Sequence, residues 1–175
     1  LVSVRFGDFY SGMLHPLTAL EHVSAFVVVG LLLGMNGTKL ARIGIVGFPL
    51  AVGTGVALGT QLNVTWDLAV VNFVSLAMVG GAGALARDWP NGLVLLLALM
   101  FGITHGVANG TAFVPGGDSW LYLSGVTVSA YLAVTVSAAV SRALLSRRAA
   151  MIGVRAVASW IGAIGIIMLG LALAT

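Results

Sequence analysis

GMLHPLTALEHVSAFVVVGLLLGM, residues 12–35, is apolar almost throughout, yet it carries His15, Glu21 and His22. An α-helix needs about 20 predominantly apolar residues to cross the ~30 Å hydrocarbon core of a bilayer, so this stretch reads as a membrane span. An ionised side chain near the centre of such a span costs about 2.5 kcal/mol or more on insertion scales, and it persists where it faces a partner, a cavity or a transport path. His105 poses the same question in a second apolar run, LVLLLALMFGITHGVANG at residues 93–110. Imidazole together with carboxylate is also a ligand set suited to divalent transition metals.

Similar runs occur at 40–62, 66–86, 90–111, 119–141 and 152–174, separated by short polar breaks. Hydrophobic residues make up 59% of the 175 and charged ones 7%. With a mean hydropathy of +1.10, the chain has too little polar surface to clothe a soluble domain. The expected fold is all-α: a polytopic membrane protein in which residues 1–175 form a single domain, a bundle of six transmembrane helices. The first partner this implies is the lipid bilayer.

A sequence pI near 10.0 would fit nucleic-acid binding, but the eight basic residues have a simpler placement. Lys39 and Arg42 follow the first span, Arg87 the third, and Arg142, Arg147, Arg148 and Arg155 flank the connection between the fifth and sixth. The alternate connections hold Asp67 and Asp118 without Lys or Arg, and the N-terminal segment holds Arg5 beside Asp8. Positive charge collects on the cytoplasmic side of spans. Both termini are therefore expected outside, in an integral protein of the bacterial inner (cytoplasmic) membrane, with no nucleic-acid partner. An outward N-terminus and an initial Leu1 fit a chain whose signal peptide has been removed or left out of the numbering. The absence of cysteine excludes disulfides, thiolate metal sites and cysteine catalysis.

Asn36-Gly37, Trp89-Pro90-Asn91-Gly92 and Pro115-Gly116-Gly117-Asp118 mark turns between spans. Pro90 suits a first helical turn, with Asp88 or Asn91 as candidates to cap it. Trp66, Trp89, Trp120 and Tyr122 fall close to span ends and read as an interfacial aromatic belt. Glycines four apart, Gly30/Gly34, Gly55/Gly59, Gly102/Gly106 and Gly106/Gly110, predict close helix–helix approaches. His105 lies between two of them, so a neighbouring helix is expected near enough to share a ligand with it.

On a regular helix His15, Thr18, Ala19 and His22 share one face at i, i+3, i+4 and i+7, and Glu21 points away from it. Seven residues rise roughly 10.5 Å, which is awkward for one metal held by both imidazoles at about 2 Å each. Two arrangements remain: a helix made irregular near Pro16, which disfavours helical geometry at His15 and removes a backbone donor, or two successive sites. His105, roughly 22 Å along its own helix, falls between the levels of the first-span histidines, roughly 6 Å and 16 Å deep, so the groups converge in the outer half of the bilayer. Asn72, Thr104 and Asn109 are further intramembrane polar residues of a kind that commonly joins helices.

His15-Pro16-Leu17-Thr18-Ala19-Leu20-Glu21-His22 resembles the HPxxGxDH motif of the HupE/UreJ family of nickel and cobalt permeases, with Ala19 where the motif has Gly and Glu21 where it has Asp. His105-Gly106-Val107-Ala108-Asn109-Gly110-Thr111-Ala112 resembles that family's fourth-helix motif HGxAHGxE, with Asn109 at the second His and Ala112 at the Glu. The resemblance implies a six-helix permease rather than an enzyme. It also implies a divalent transition metal as transported substrate, nickel or cobalt foremost, with copper and zinc as further candidates. On this reading the metal residues are His15, Glu21, His22, His105 and Asn109. No GxxxxGK-type phosphate loop is present, so transport would be driven by a gradient or by metal trapping inside the cell.

A second reading is a structural or accessory subunit of a larger membrane complex that keeps this fold with a degenerate metal site. The residues at Asn109 and Ala112 favour it, and its partners would be other subunits of the complex or a second copy of the chain. A third, a membrane metalloenzyme, has only three histidines and one membrane carboxylate to serve both binding and reaction.

Overall fold

In lipid a backbone must satisfy its own hydrogen bonds, and an apolar run does so as a helix. The computed structural model describes residues 2–61 and 68–174, and within them it contains helices and no strand. The helices are α1 (Val2–Thr18), α2 (Leu20–Met35), α3 (Thr38–Gly59), α4 (Leu68–Leu85), α5 (Asn91–Thr111), α6 (Ser119–Leu144) and α7 (Arg148–Leu173). Five of them, α3 to α7, are long and apolar enough to cross a membrane, and α1 with α2 makes a sixth crossing if that bent pair counts as one span. Trp66 and Asp67 lie outside the described residues.

The expected continuous span at 12–35 is the one that the fold corrects. Helix already begins at Val2, and the chain bends by 78° between Gly7–Thr18 and Leu20–Met35. The irregularity is not at His15, since α1 runs through both His15 and Pro16. Pro16 removes one i→i−4 donor and crowds the preceding turn, and the helix ends shortly after it. Thr18 Oγ1 turns back onto the carbonyls of Leu14 and His15, 3.1 Å from each. Ala19 is extended at φ −88°, ψ 111°. Helix α2 restarts with the Ala19 carbonyl accepting from His22 N at 3.0 Å and Val23 N at 3.1 Å.

The main packing partners are α1 and α2 against α6, α3 against α5, and α4 against α7. Small residues permit the closest approaches. A Cβ at Gly106 would overlap the Val52 carbonyl oxygen and lie 2.9 Å from Gly55 Cα. The glycines beside His105 thus admit α3, not the helix that carries His22. The bundle has an apolar core around Phe26, Phe48 and Leu76 that encloses a few polar side chains, among them His22, Asn72, Ser75, His105, Asn109 and Ser141, while large apolar residues such as Leu50, Leu85, Ile166 and Leu171 are exposed on its outside. That distribution suits a bundle whose outer surface meets lipid.

Hydrogen bonds fix both ends of the bundle. At one end Asn36 Nδ2 donates to Leu32 O at 2.8 Å while its Oδ1 accepts from Trp89 N at 3.2 Å. Arg155 Nε donates to Ala84 O at 2.9 Å, and Ser141 Oγ to Leu31 O at 3.0 Å. These bonds draw together the three connections that carry the basic residues. At the other end Asp118 Oδ1 caps α6, accepting from Trp120 N at 3.1 Å and Leu121 N at 3.2 Å, and Asp8 Oδ2 accepts from Asp118 N at 2.8 Å. Helix α5 starts with the Pro90 carbonyl accepting from Leu93 N and Val94 N and has no side-chain cap, so neither Asp88 nor Asn91 caps it.

Trp120 is 74% exposed. Tyr122 is not a belt residue: it is 3% exposed, packs its ring on Phe113 and donates its hydroxyl to Asn109 O at 2.9 Å. Trp89 is half-buried, with its indole donating to Ala82 O at 3.1 Å.

The α3–α5 approach yields a direct test. Gly106→Val should lower stability by about 1–3 kcal/mol, the usual cost of overpacking, because the added atoms meet backbone that cannot swing aside. Gly92→Ala, where a Cβ meets nothing within 4 Å, should leave it unchanged. Thermal unfolding of both variants in detergent checks this, and equal midpoints would refute the packing assignment.

Candidate polar site at the break in the first span

The extended Ala19 decides where the first-span polar groups go. On an uninterrupted helix His15 and His22 would be separated by roughly 10.5 Å of rise. Across the break their ring centroids are 6.0 Å apart, with the planes tilted by 48°. The break also places Glu21 in the first turn of α2, where a carboxylate is favoured by the helix dipole. A regular helix would point Glu21 away from the face that carries His15 and His22, but here its Oε1 lies 3.6 Å from His22 Nε2, near it and too long for a hydrogen bond. Its side chain is 34% exposed, against 3% for His22.

On the other side of His22 stands His105 from α5, fully buried. The two Nδ1 atoms are 2.9 Å apart, and the rings meet edge to face with centroids 5.2 Å apart. His105 Nε2 lies 2.8 Å from Ser75 Oγ in α4, and Ser75 Oγ donates to Asn72 O at 2.6 Å. A hydrogen-bonded chain therefore crosses three helices, from α4 through α5 to α2. Ser75 is a residue that the sequence reading passed over. The signal available was its position three after Asn72, which puts two polar residues on one face of an otherwise apolar helix.

Asn109, one turn beyond His105, is buried as well, and its Nδ2 donates to His105 O at 2.7 Å. With its own carbonyl accepting from Tyr122, it ties α5 to α6. The amide oxygens of Asn72 and Asn109 are buried without a hydrogen-bond partner among the described residues. Such atoms are uncommon in native interiors and cost about 1–3 kcal/mol each when nothing meets them. Thr104 stays out of this arrangement, bonding within its own helix to Phe101 O at 3.2 Å. Ala112 is the C-cap of α5 and brings no ligand atom to the position where the resembling motif has a carboxylate.

The structure thus brings His15, Glu21, His22 and His105 into one cluster, with Asn109 a turn away from His105. Among the described residues no group of three or more His, Asp or Glu side chains stands in metal-holding geometry. The cluster is an open set of imidazoles and a carboxylate, not a closed coordination shell.

No match was found among curated proteins or among solved structures. The family described as HupE / UreJ protein matches residues 3–173, nearly the whole chain. That family is a transporter-like membrane family associated with nickel and cobalt transport or accessory function, and it is not an enzyme family. With a match of that extent and with the helices that such a membrane protein needs, this chain belongs to the HupE / UreJ protein family.

Proposed function

We propose that the chain is a secondary permease for a divalent transition metal, nickel or cobalt foremost, acting as one six-span unit in the bacterial cytoplasmic membrane with its basic end inward. His15, Glu21 and His22 are the first candidates for transient ligands, and His105 and Asn109 are the contribution of the second motif. The observation that carries this reading is the break at Ala19, which shortens the separation of the His15 and His22 rings to 6.0 Å, with Glu21 beside His22. Discontinuous helices are a recurrent device for building substrate sites within transporters, and imidazole with carboxylate suits these metals. An open ligand set agrees with cargo that must leave as readily as it arrives. Ligands must be deprotonated to coordinate, so metal binding would release protons.

One observation favours the accessory-subunit reading instead. Asn109 stands where the motif's second imidazole would be and is engaged in structural bonding, through Nδ2 to His105 O at 2.7 Å and through its carbonyl to Tyr122.

Two experiments follow. For orientation, cysteine introduced at the exposed Val114 should react with an impermeant thiol reagent from outside sealed cells, and cysteine at Arg147 should not. Labelling of Arg147→Cys from outside would reverse the orientation.

For function, uptake of labelled nickel and cobalt into vesicles containing the purified chain should be abolished by His22→Ala and only reduced by Asn109→Ala. In parallel, either metal at a hundredfold excess over its Kd should stabilise the wild type by about 2.7 kcal/mol and leave His15→Ala/His22→Ala unmoved. If wild type shows neither uptake nor a shift with any divalent metal, while constant protein partners co-purify with it, the accessory-subunit reading replaces the permease.

A further inference from the structure

We infer that Ser75 is a positioning residue: acting through His105, it fixes the tautomer of His22 so that the Nε2 lone pair faces Glu21. The use made of that lone pair rests on the permease reading, whereas the tautomer assignment does not.

The hydrogens available to these atoms fix the tautomers. Ser75 Oγ lies 2.6 Å from Asn72 O, a separation in the short part of the O–H···O range that requires a hydrogen between the atoms. A carbonyl oxygen has none to give, so the single hydroxyl hydrogen of Ser75 is committed to Asn72. Toward His105 Nε2, 2.8 Å away, Ser75 can then only accept, and His105 must carry its hydrogen on Nε2. A neutral imidazole holds one N–H, so His105 Nδ1 is bare and accepts. The Nδ1 of His22, 2.9 Å away, must therefore be the donor. With its one hydrogen on Nδ1, His22 is left with a bare Nε2, the atom that lies 3.6 Å from Glu21 Oε1.

Metal-binding histidines are generally oriented in this way, donating the other ring N–H to an acceptor that holds the ring and fixes its tautomer. Here the acceptor is a second imidazole, itself oriented by a serine whose hydroxyl is locked to its own helix. His105 has both ring nitrogens engaged and stands behind His22, one step removed from the Glu21 side. The chain begins at a helix backbone in α4 and ends at a lone pair in α2, so the register of α4 and α5 sets the chemistry of the first span.

The test uses the full chain in detergent with ring-nitrogen-labelled histidine, at a pH well above the ordinary imidazole range of about 6.5. A His15→Gln background leaves only the signals of His22 and His105. Nuclear magnetic resonance distinguishes a protonated ring nitrogen from a bare one. In the otherwise wild-type chain we expect Nδ1–H with bare Nε2 at His22 and the reverse at His105. Ser75→Thr, which keeps the hydroxyl, should preserve both patterns. Ser75→Ala should collapse the His22 pattern into a mixture of tautomers.

The reverse assignment in the chain with Ser75 intact overturns the inference, and so does a Ser75→Ala spectrum with unchanged tautomers. Should Ser75→Ala fail to fold, the assignment with Ser75 intact still decides. Cobalt added to the chain with His15 restored should perturb His22 Nε2 before either nitrogen of His105. If the tautomers are as assigned but no nitrogen responds to cobalt or nickel, the permease reading fails and the positioning role of Ser75 stands.

Discussion

A hydrocarbon solvent offers no hydrogen bonds, so each polar atom within the spans must find its partner inside the protein, and the arrangement of this bundle follows from that requirement. Its clearest expression is the chain from the Asn72 carbonyl through Ser75 and His105 to His22. Three helices are held in mutual register by bonds that would each leave a buried polar group unpaired if one helix slid or rotated. The packing around the chain is apolar or nearly featureless: glycine faces between α3 and α5, and aliphatic faces with Phe26 and Phe48 edge to face at 5.4 Å. Apolar packing of this kind supplies close contact, and the polar chain supplies a unique alignment.

The break at Ala19 obeys the same constraint. Interrupting a helix within a membrane frees backbone groups, which is tolerated where protein rather than lipid surrounds them. Thr18 partly meets this need by turning its hydroxyl back onto α1, and Ala19 serves α2 through its carbonyl. What the break gains is geometry, because two imidazoles that a straight helix would hold well apart along its length come to a ring separation of 6.0 Å, with Glu21 beside the second of them. Glu21 keeps partial access to the surroundings while His22 is almost wholly enclosed. The pair therefore has one member open to its surroundings and one enclosed and held by His105.

The departures from the family motifs have separate structural consequences. Glu21 in place of Asp keeps the carboxylate and lengthens its reach from the start of α2. Asn109 in place of His exchanges an imidazole for an amide whose nitrogen is spent on His105 O and whose oxygen is left over. Ala112 in place of Glu leaves the end of α5 without a carboxylate. The first span thus keeps two imidazoles and a carboxylate, while in α5 Asn109 bonds to His105 O and accepts from Tyr122, holding helices together.

The sequence determined the class of fold and the identity of most polar participants, because the cost of polarity in lipid makes a histidine or glutamate in an apolar run conspicuous without any coordinates. His15, Glu21, His22 and His105 were legible for that reason, Asn109 through the motif it resembles, and the later spans and the clustering of basic residues in alternate connections through composition. Ser75 was not, since a hydroxyl costs little in a helix and says nothing until its partner is known. Tyr122 misled, because a tyrosine near a span end looks alike whether it faces the interface or folds inward to Asn109. Only the tertiary structure decided where the first span breaks, since Pro16 weakens a helix over a full turn and local geometry selects the residue, here Ala19, that leaves it. It also decided which neighbour meets His105, because glycine spacing announces a close approach without naming the helix that makes it. The direction of the hydrogen bonds lies deepest of all, since it depends on atoms from three helices that come together only when the bundle is assembled.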